Sequence, residues 1–302
     1  MTWALFDMSY FAHRALHTMG RLSHTDIPTG IIFGCLEQLR TTVYDSRVAT
    51  NKVALFFDSS SSYRQEEFPG YKRKRHENKT PEELEAAAIM RRQITKLRRE
   101  IMPAAGFPCY RQAGVESDDL MADAAKRTVG HVVIVTGDND LWQCITGSTH
   151  WFDPARNMHL DVNGYREKTG LLSTIYWGEV KAISGCSSDC VPGIRGVGEK
   201  TAIRYILGAL PKHTKAYRNI TSTDGMSTIE RNLRLVRLPH AKTRSVIVQE
   251  PVYNPGAFFE WCRRLGIQSY LRGERHNQWV AFFEGRVGKQ KQTARRRGAL
   301  IK

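Results

Sequence analysis

Little in this sequence points toward a membrane or out of the cell. Only six of its 302 residues are cysteine, and they fall without regular spacing, so a disulfide framework is not expected. No uninterrupted apolar run approaches the roughly 20 residues that a membrane-spanning helix needs. The first residues lack a basic region followed by an apolar segment and a small-residue cleavage site, so secretion is not expected. Internal repeats are absent. Acidic residues are also scarce: 30 Asp and Glu stand against 45 Lys and Arg, a formal charge of +15. At 41% hydrophobic the chain can build a core, which excludes a wholly disordered basic protein. What remains is one large domain or two smaller ones in a cytoplasmic protein without membrane contact. Its excess positive charge calls for a polyanion, nucleic acid above all.

Three apolar runs read as buried strands of a parallel sheet: Trp3 to Phe6, Val53 to Phe57 and Val132 to Val135. Helical periodicity lies between them, over Ile31 to Val43, Glu82 to Ile101 and Asp118 to Arg127. Alternating strands and helices predict an α/β fold with both faces of the sheet covered. After about residue 170 the strand signals fade. Segments 174–184, 199–208, 227–238 and 256–265 fit helices of a subdomain packed on the α/β body. The stretch from Arg286 to Lys302 reads as a basic tail.

Each of the three strands runs into an aspartate: Asp7, Asp58 and Asp138. Ligands of open α/β sheets bind just beyond the carboxyl ends of the strands, so these acids should converge. Glu116, Asp118 and Asp119 open a helix, and Asp140 follows Asp138 by two residues. Any one of them also suits a turn or a helix cap. Together they would repel one another unless a cation neutralised them. Oxygen donors select hard ions, Mg²⁺ or Mn²⁺, and two such ions roughly 4 Å apart are a usual arrangement for phosphodiester hydrolysis.

Tyr71-Lys72-Arg73-Lys74-Arg75-His76 leads out of this acidic edge, and Arg91, Arg92, Lys96, Arg98 and Arg99 continue the basic surface. A run of this kind either faces solvent or contacts phosphate. Pro192 to Thr201 contains three glycines, but Glu199 separates the last of them from Lys200. That spacing excludes a Walker loop. The alternative is a helical hairpin whose backbone approaches phosphate closely, supported by Lys200 and Arg204.

The run Phe6-Asp7-Met8-Ser9-Tyr10-Phe11-Ala12-His13-Arg14-Ala15 resembles the opening motif of the 5′-nuclease family. That family includes the 5′→3′ exonuclease domain of bacterial DNA polymerase I, phage 5′-exonucleases and flap endonucleases. The resemblance continues through Phe57-Asp58, Tyr63-Arg64, Gly70-Tyr71-Lys72, Gly114 to Asp119, Thr136 to Asp140 and Pro192 to Ala202. It implies a PIN-like, mostly parallel α/β core over 1–170, with a helical arch near 72–100. A helix–hairpin–helix subdomain would occupy 171–285 and a basic tail 286–302. It further implies a first metal site from Asp7, Asp58, Glu116 and Asp118, with Asp119 beside it. Asp138, Asp140 and Asp189 would form a second. Lys72 and Arg75 would meet the scissile phosphate, and Tyr10 would stack on terminal bases. DNA contacts are expected from Arg14, Arg64, Lys72, Arg73 and Arg75. Others are expected from Gly193, Arg195, Gly196, Gly198, Lys200, Thr201 and Arg204, with K⁺ at the hairpin.

The implied protein is a free-standing, monomeric, phage-like nuclease working in the cytoplasm of a bacterium or infected host. Its substrates would be DNA with 5′ ends, flaps or nicks, and RNA–DNA hybrids. One departure stands out. The family usually has Gly-Asp-x-x-Asp where this chain has Gly185-Cys186-Ser187-Ser188-Asp189, and a thiol is a poor Mg²⁺ ligand. The second site is either completed by water or weakened. A non-catalytic binder of branched DNA is therefore the alternative. A small PIN-like ribonuclease explains the acids but neither the basic arch nor the hairpin.

Overall fold

Continuous apolar runs form the centre of a six-stranded sheet in the computed structural model, which describes residues 1–20, 22–25, 27–75, 77 and 79–287. The strands are β1 (Thr2–Asp7), β2 (Val53–Phe56), β3 (Cys109–Tyr110), β4 (His131–Val135), β5 (Thr149–Asp153) and β6 (Met158–Leu160). Their order is β3-β2-β1-β4-β5-β6. Every pair is parallel except β5–β6. Ala4 of β1 lies opposite Val53 on one side and Val133 on the other.

Residues of β1 alternate between two cores. Ala4 and Phe6 pack with helices α1 (Met8–Met19) and α2 (Gly30–Val43), while Trp3 and Leu5 pack on the opposite face. A strand buried on both faces has no polar side, which is why these runs show no alternation. Helix α3 (Pro81–Lys96) starts on a reciprocal Thr80–Glu83 cap, and α4 (Ser117–Arg127) covers the second face. Sequence periodicity missed β5 and β6, whose Thr-His-Trp-Phe-Asp and Met-His-Leu segments carry few β-branched residues.

The later elements are α5 (Tyr176–Ser184), β7 (Gly185–Cys186), β8 (Val191–Pro192), α6 (Glu199–Ile206), α7 (Lys215–Thr221), α8 (Thr223–Val236), α9 (Pro255–Arg264) and α10 (Gly273–Phe283). Within the expected helical unit over 171–285, α9 and α10 pack on the sheet body. Phe258, Tyr270, Trp279 and Phe282 are fully buried in the core formed with α1 and α2. Burying a Phe is worth about 1.5–3 kcal/mol, so α9 and α10 are integral to the sheet body. The Tyr270 hydroxyl donates to Glu37 at 2.8 Å, and Tyr44 donates to the Gln278 carbonyl at 2.6 Å.

The later part of the segment expected as an arch, 72–100, packs on the core. Gln93 is buried, Met90 and Ile94 pack on the core, and Leu97 and Ile101 are inside it. Of the basic tail, residues 288–302 lie outside the described residues. Among the described residues no helix is long and apolar enough to cross a membrane.

Candidate active site

The carboxyl edge of the sheet collects acids from five segments. Asp7 ends β1 and caps α1, its Oδ1 accepting from the N–H groups of Ser9 and Tyr10 at 3.1 Å. Thr136, just past β4, donates its hydroxyl to Asp7 Oδ2 at 2.9 Å. Ser117 opens α4 and donates its N–H and hydroxyl to Asp58 Oδ1, both at 2.8 Å. Asp138 caps the turn that follows β4, accepting from the Asp140 N–H at 2.8 Å. Asp189 arrives from the β7–β8 turn, where Val191 pairs with Cys186.

Tyr71 and Lys72 join these groups. The Tyr71 hydroxyl lies 3.0 Å from Glu116 Oε2 and 3.2 Å from Asp189 Oδ2. Lys72 Nζ lies 2.7 Å from Glu116 Oε2 and 4.0 Å from Asp189 Oδ1. The Lys72 backbone sits at φ 55°, a left-handed conformation unusual for a residue with a side chain, and its N–H donates to the Asp189 carbonyl at 2.8 Å. Lys181 of α5 enters from the other side. Its Nζ is 3.2 Å from Asp140 Oδ1, 2.9 Å from Asn139 Oδ1 and 2.9 Å from Glu199 Oε1. Neither the Tyr71 bridge nor Lys181 was singled out from sequence. Tyr71 lies inside the Gly70-Tyr71-Lys72 motif, whereas Lys181 carries no local signal.

Crowding perturbs these acids strongly. Burial, then Asp58, pushes the Asp7 carboxyl up to about 7. Burial and Asp138 push Asp140 up to about 7 as well. Asp118 is raised well above the usual carboxylate range by burial and by Asp138, Asp7 and Asp58. Burial would raise Glu116 too, but Lys72 and Arg64 outweigh it and hold it low. Asp118 Oδ1 is enclosed and accepts no hydrogen bond, while the enclosed Asp140 Oδ1 has Lys181 Nζ 3.2 Å away. Buried carboxylate oxygens that repel one another fit a hard divalent cation. Asp140, Cys186 and Asp189 also place donor atoms within 4.8 Å of one another.

Two expected site residues, Asp119 and Arg64, pair with each other. Asp119 is wholly buried and accepts two hydrogen bonds from the Arg64 guanidinium, at 2.6 and 2.7 Å, and another from the His240 N–H at 2.7 Å. Its oxygens are engaged by this pair, and Arg64 Nη1 also lies 3.7 Å from Glu116 Oε2. Arg64 is 2% exposed and also donates to the Leu235 carbonyl at 2.6 Å.

Tyr10 donates to Asp153 at 2.6 Å, with the Arg14 guanidinium 5.5 Å from its ring centre. Arg73 is exposed and pairs with Glu77 at 3.0 Å. The Arg75 side chain lies outside the described residues. In the hairpin, a Cβ on Gly193 would fall 2.1 Å from the Ser184 backbone, and Gly196 sits at φ +78°. Both positions therefore favour glycine. Gly198 caps α6 without a side-chain acceptor for the first N–H groups. Arg195, Lys200 and Arg204 are exposed around it, with Thr201 half-buried.

A mostly parallel sheet flanked by helices, with acids along its carboxyl edge, defines a PIN-like α/β protein. The chain belongs to the 5′-3′ exonuclease family, whose N-terminal resolvase-like domain profile matches residues 2–170. It is 30% identical over 247 residues to DNA polymerase I of Rhizobium leguminosarum, covering 78% of this chain and 23% of that one. Against DNA polymerase I of Pseudomonas aeruginosa it is 32% identical over 209 residues, covering 68% and 22%. It therefore spans under a quarter of the length of these relatives. The T5 5′-exonuclease with divalent metal ions (zinc) bound shares the fold at TM-score 0.67 and 21% identity, over 79% of this chain and 90% of that one.

Proposed function

We propose that this protein is a divalent-metal-dependent 5′→3′ exonuclease and 5′-flap endonuclease. It hydrolyses DNA phosphodiesters at free 5′ ends and flap junctions, leaving 5′-phosphates, and it accepts RNA in RNA–DNA hybrids as a second substrate. Primer removal and DNA degradation are the tasks this chemistry suits. The observation that carries the reading is the convergence of Asp7, Asp58, Glu116, Asp118, Asp138, Asp140 and Asp189 at one edge, beside the paired Lys72.

Asp7, Asp58, Glu116 and Asp118 would hold one Mg²⁺ or Mn²⁺ ion; Asp138, Asp140 and Asp189 would hold another. Such ions, when bound, favour the attacking form of water and stabilise the departing 3′-oxygen. Lys72, 2.7 Å from Glu116, offers an ammonium to the charge that builds on the phosphate. Tyr71 keeps Glu116 and Asp189 at a fixed separation. The face of Tyr10 offers a stacking surface for a terminal base. The open end of α6 and the exposed Arg195, Lys200 and Arg204 grip a duplex phosphate backbone, with K⁺ at the hairpin. The basic segment after Lys72 serves as the arch for a single strand.

A labelled 5′-flap duplex, incubated with Mg²⁺, Mn²⁺ or EDTA, tests this reading. Cleavage should require metal, and Asp138→Ala should abolish cutting while leaving binding intact. Tight binding without cleavage in any metal would instead favour a catalytically weakened binder of branched DNA, the reading that Cys186 supports.

A further inference from the structure

We propose that the second metal position is a mixed sulfur–oxygen site in which Cys186 Sγ is a ligand. It would take a borderline divalent ion such as Zn²⁺ or Co²⁺ in preference to Mg²⁺. This rests on the metal-site reading above and changes its donor set. Cys186 is 9% exposed, and its sulfur lies with carboxylate oxygens of Asp140 and Asp189 inside a 4.8 Å span. Three donors from two segments thus lie close enough together to converge on one ion. Asp140 Oδ1 within this group is enclosed, with Lys181 Nζ beside it.

The backbone holds this arrangement in place. Cys186 and Val191 pair across the β7–β8 hairpin, and the Asp189 N–H donates to the Cys186 carbonyl at 3.2 Å. Sulfur and carboxylate are thus set by one turn, and the Ser188 hydroxyl sits 3.0 Å from the sulfur. A hydroxyl there can donate to a thiolate and orient it, as outer partners of metal ligands commonly do. Lys181, 3.2 Å from Asp140 Oδ1, offsets one negative charge. On ligation the thiol gives its proton to solvent and the sulfur lone pair bonds the metal. Mg²⁺ gains little from sulfur, whereas Zn²⁺ and Co²⁺ gain much. The preference therefore follows from the exchange of one oxygen for sulfur.

The test is a Co²⁺ titration of the chelated full-length protein, read by absorbance without DNA. Wild type and Cys190→Ser should both show a near-ultraviolet sulfur-to-cobalt charge-transfer band. Cys186→Ser and Cys186→Asp should lose that band while still binding cobalt. Competition with a chromophoric chelator should show Zn²⁺ affinity falling about tenfold or more in Cys186→Ser. It should also show Mg²⁺ affinity rising in Cys186→Asp. Cobalt bound by wild type without the band, or a band lost in Cys190→Ser, overturns the sulfur ligand while the metal site stands. Failure of wild type and Cys186→Asp alike to bind any cobalt overturns the metal-site reading itself.

Discussion

Asp7 and Asp140 titrate near 7 in the folded chain, against about 3.9 for an unperturbed aspartate. The folded, metal-free protein therefore retains protons that the unfolded chain has released. Stability from these groups is complete below the unfolded pKa and is lost as pH rises through the folded one. With chelator present, the melting temperature should fall between about pH 4 and pH 7. Mg²⁺ or Mn²⁺ should restore it most at the upper end, where no proton competes for the oxygens. A melting temperature that ignores both pH and metal in this window would contradict the cation-binding account. Asp119 behaves differently because its neighbour is Arg64. Burial opposes the Arg64 charge, but Asp119 outweighs it and holds the guanidinium charged. Removing one partner of such a pair costs about 3–5 kcal/mol. Asp119→Ala should therefore lose that much in urea unfolding; normal stability combined with lost metal affinity would return Asp119 to the ligand set.

Helix α3 has two distinct halves. Its first turns carry the Thr80–Glu83 cap and exposed charge. Its last turns are tied down, because Gln93 Oε1 accepts from the Ile31 and Ile32 N–H groups at 2.9 and 3.1 Å. Gln93 thus caps the start of α2, which has no side-chain cap of its own at Thr29. Gln93→Ala should cost about 1–2 kcal/mol, the usual scale of a lost cap or buried hydrogen bond. Arg91→Ala on the exposed side should stay within about 0.5 kcal/mol. Chemical denaturation of the two variants checks both. The spacing of Met90, Ile94, Leu97 and Ile101 revealed this helix and its apolar stripe. It did not reveal which element the stripe would meet.

The charge of +15 is divided into opposed local fields. Acids crowd one edge of the sheet, while Arg195, Lys200 and Arg204 stand exposed on the hairpin beside it. Each phosphate neutralised releases condensed counterions, so duplex affinity should fall steeply with salt. Lys200→Ala should weaken binding evenly across sequences and reduce the log–log salt slope by about 1. Fluorescence anisotropy at several ionic strengths measures both, and an unchanged slope would remove Lys200 from the interface. The body that carries these fields closes late in the chain. Residues between α8 and α9 run back past Asp119, Asp123 and Tyr110, through hydrogen bonds from the His240, Val246 and Gln249 N–H groups. They deliver α9 and α10 to the core. No composition change marks that return.

Features that depend on neighbours along the chain were legible from sequence. The runs ending in Asp7 and Asp58 and the run leading to Asp138 identified the central strands, because a strand buried on both faces must be apolar throughout. The site's acidity and the glycine hairpin could be read in the same way. Side-chain direction could not. Asp118 and Asp119 are adjacent and chemically identical, yet successive helical residues point about 100° apart. One therefore faces the acidic cluster and the other meets Arg64. Only the packing of α4 against its surroundings decides which carboxylate is left to hold a metal and which holds the fold together.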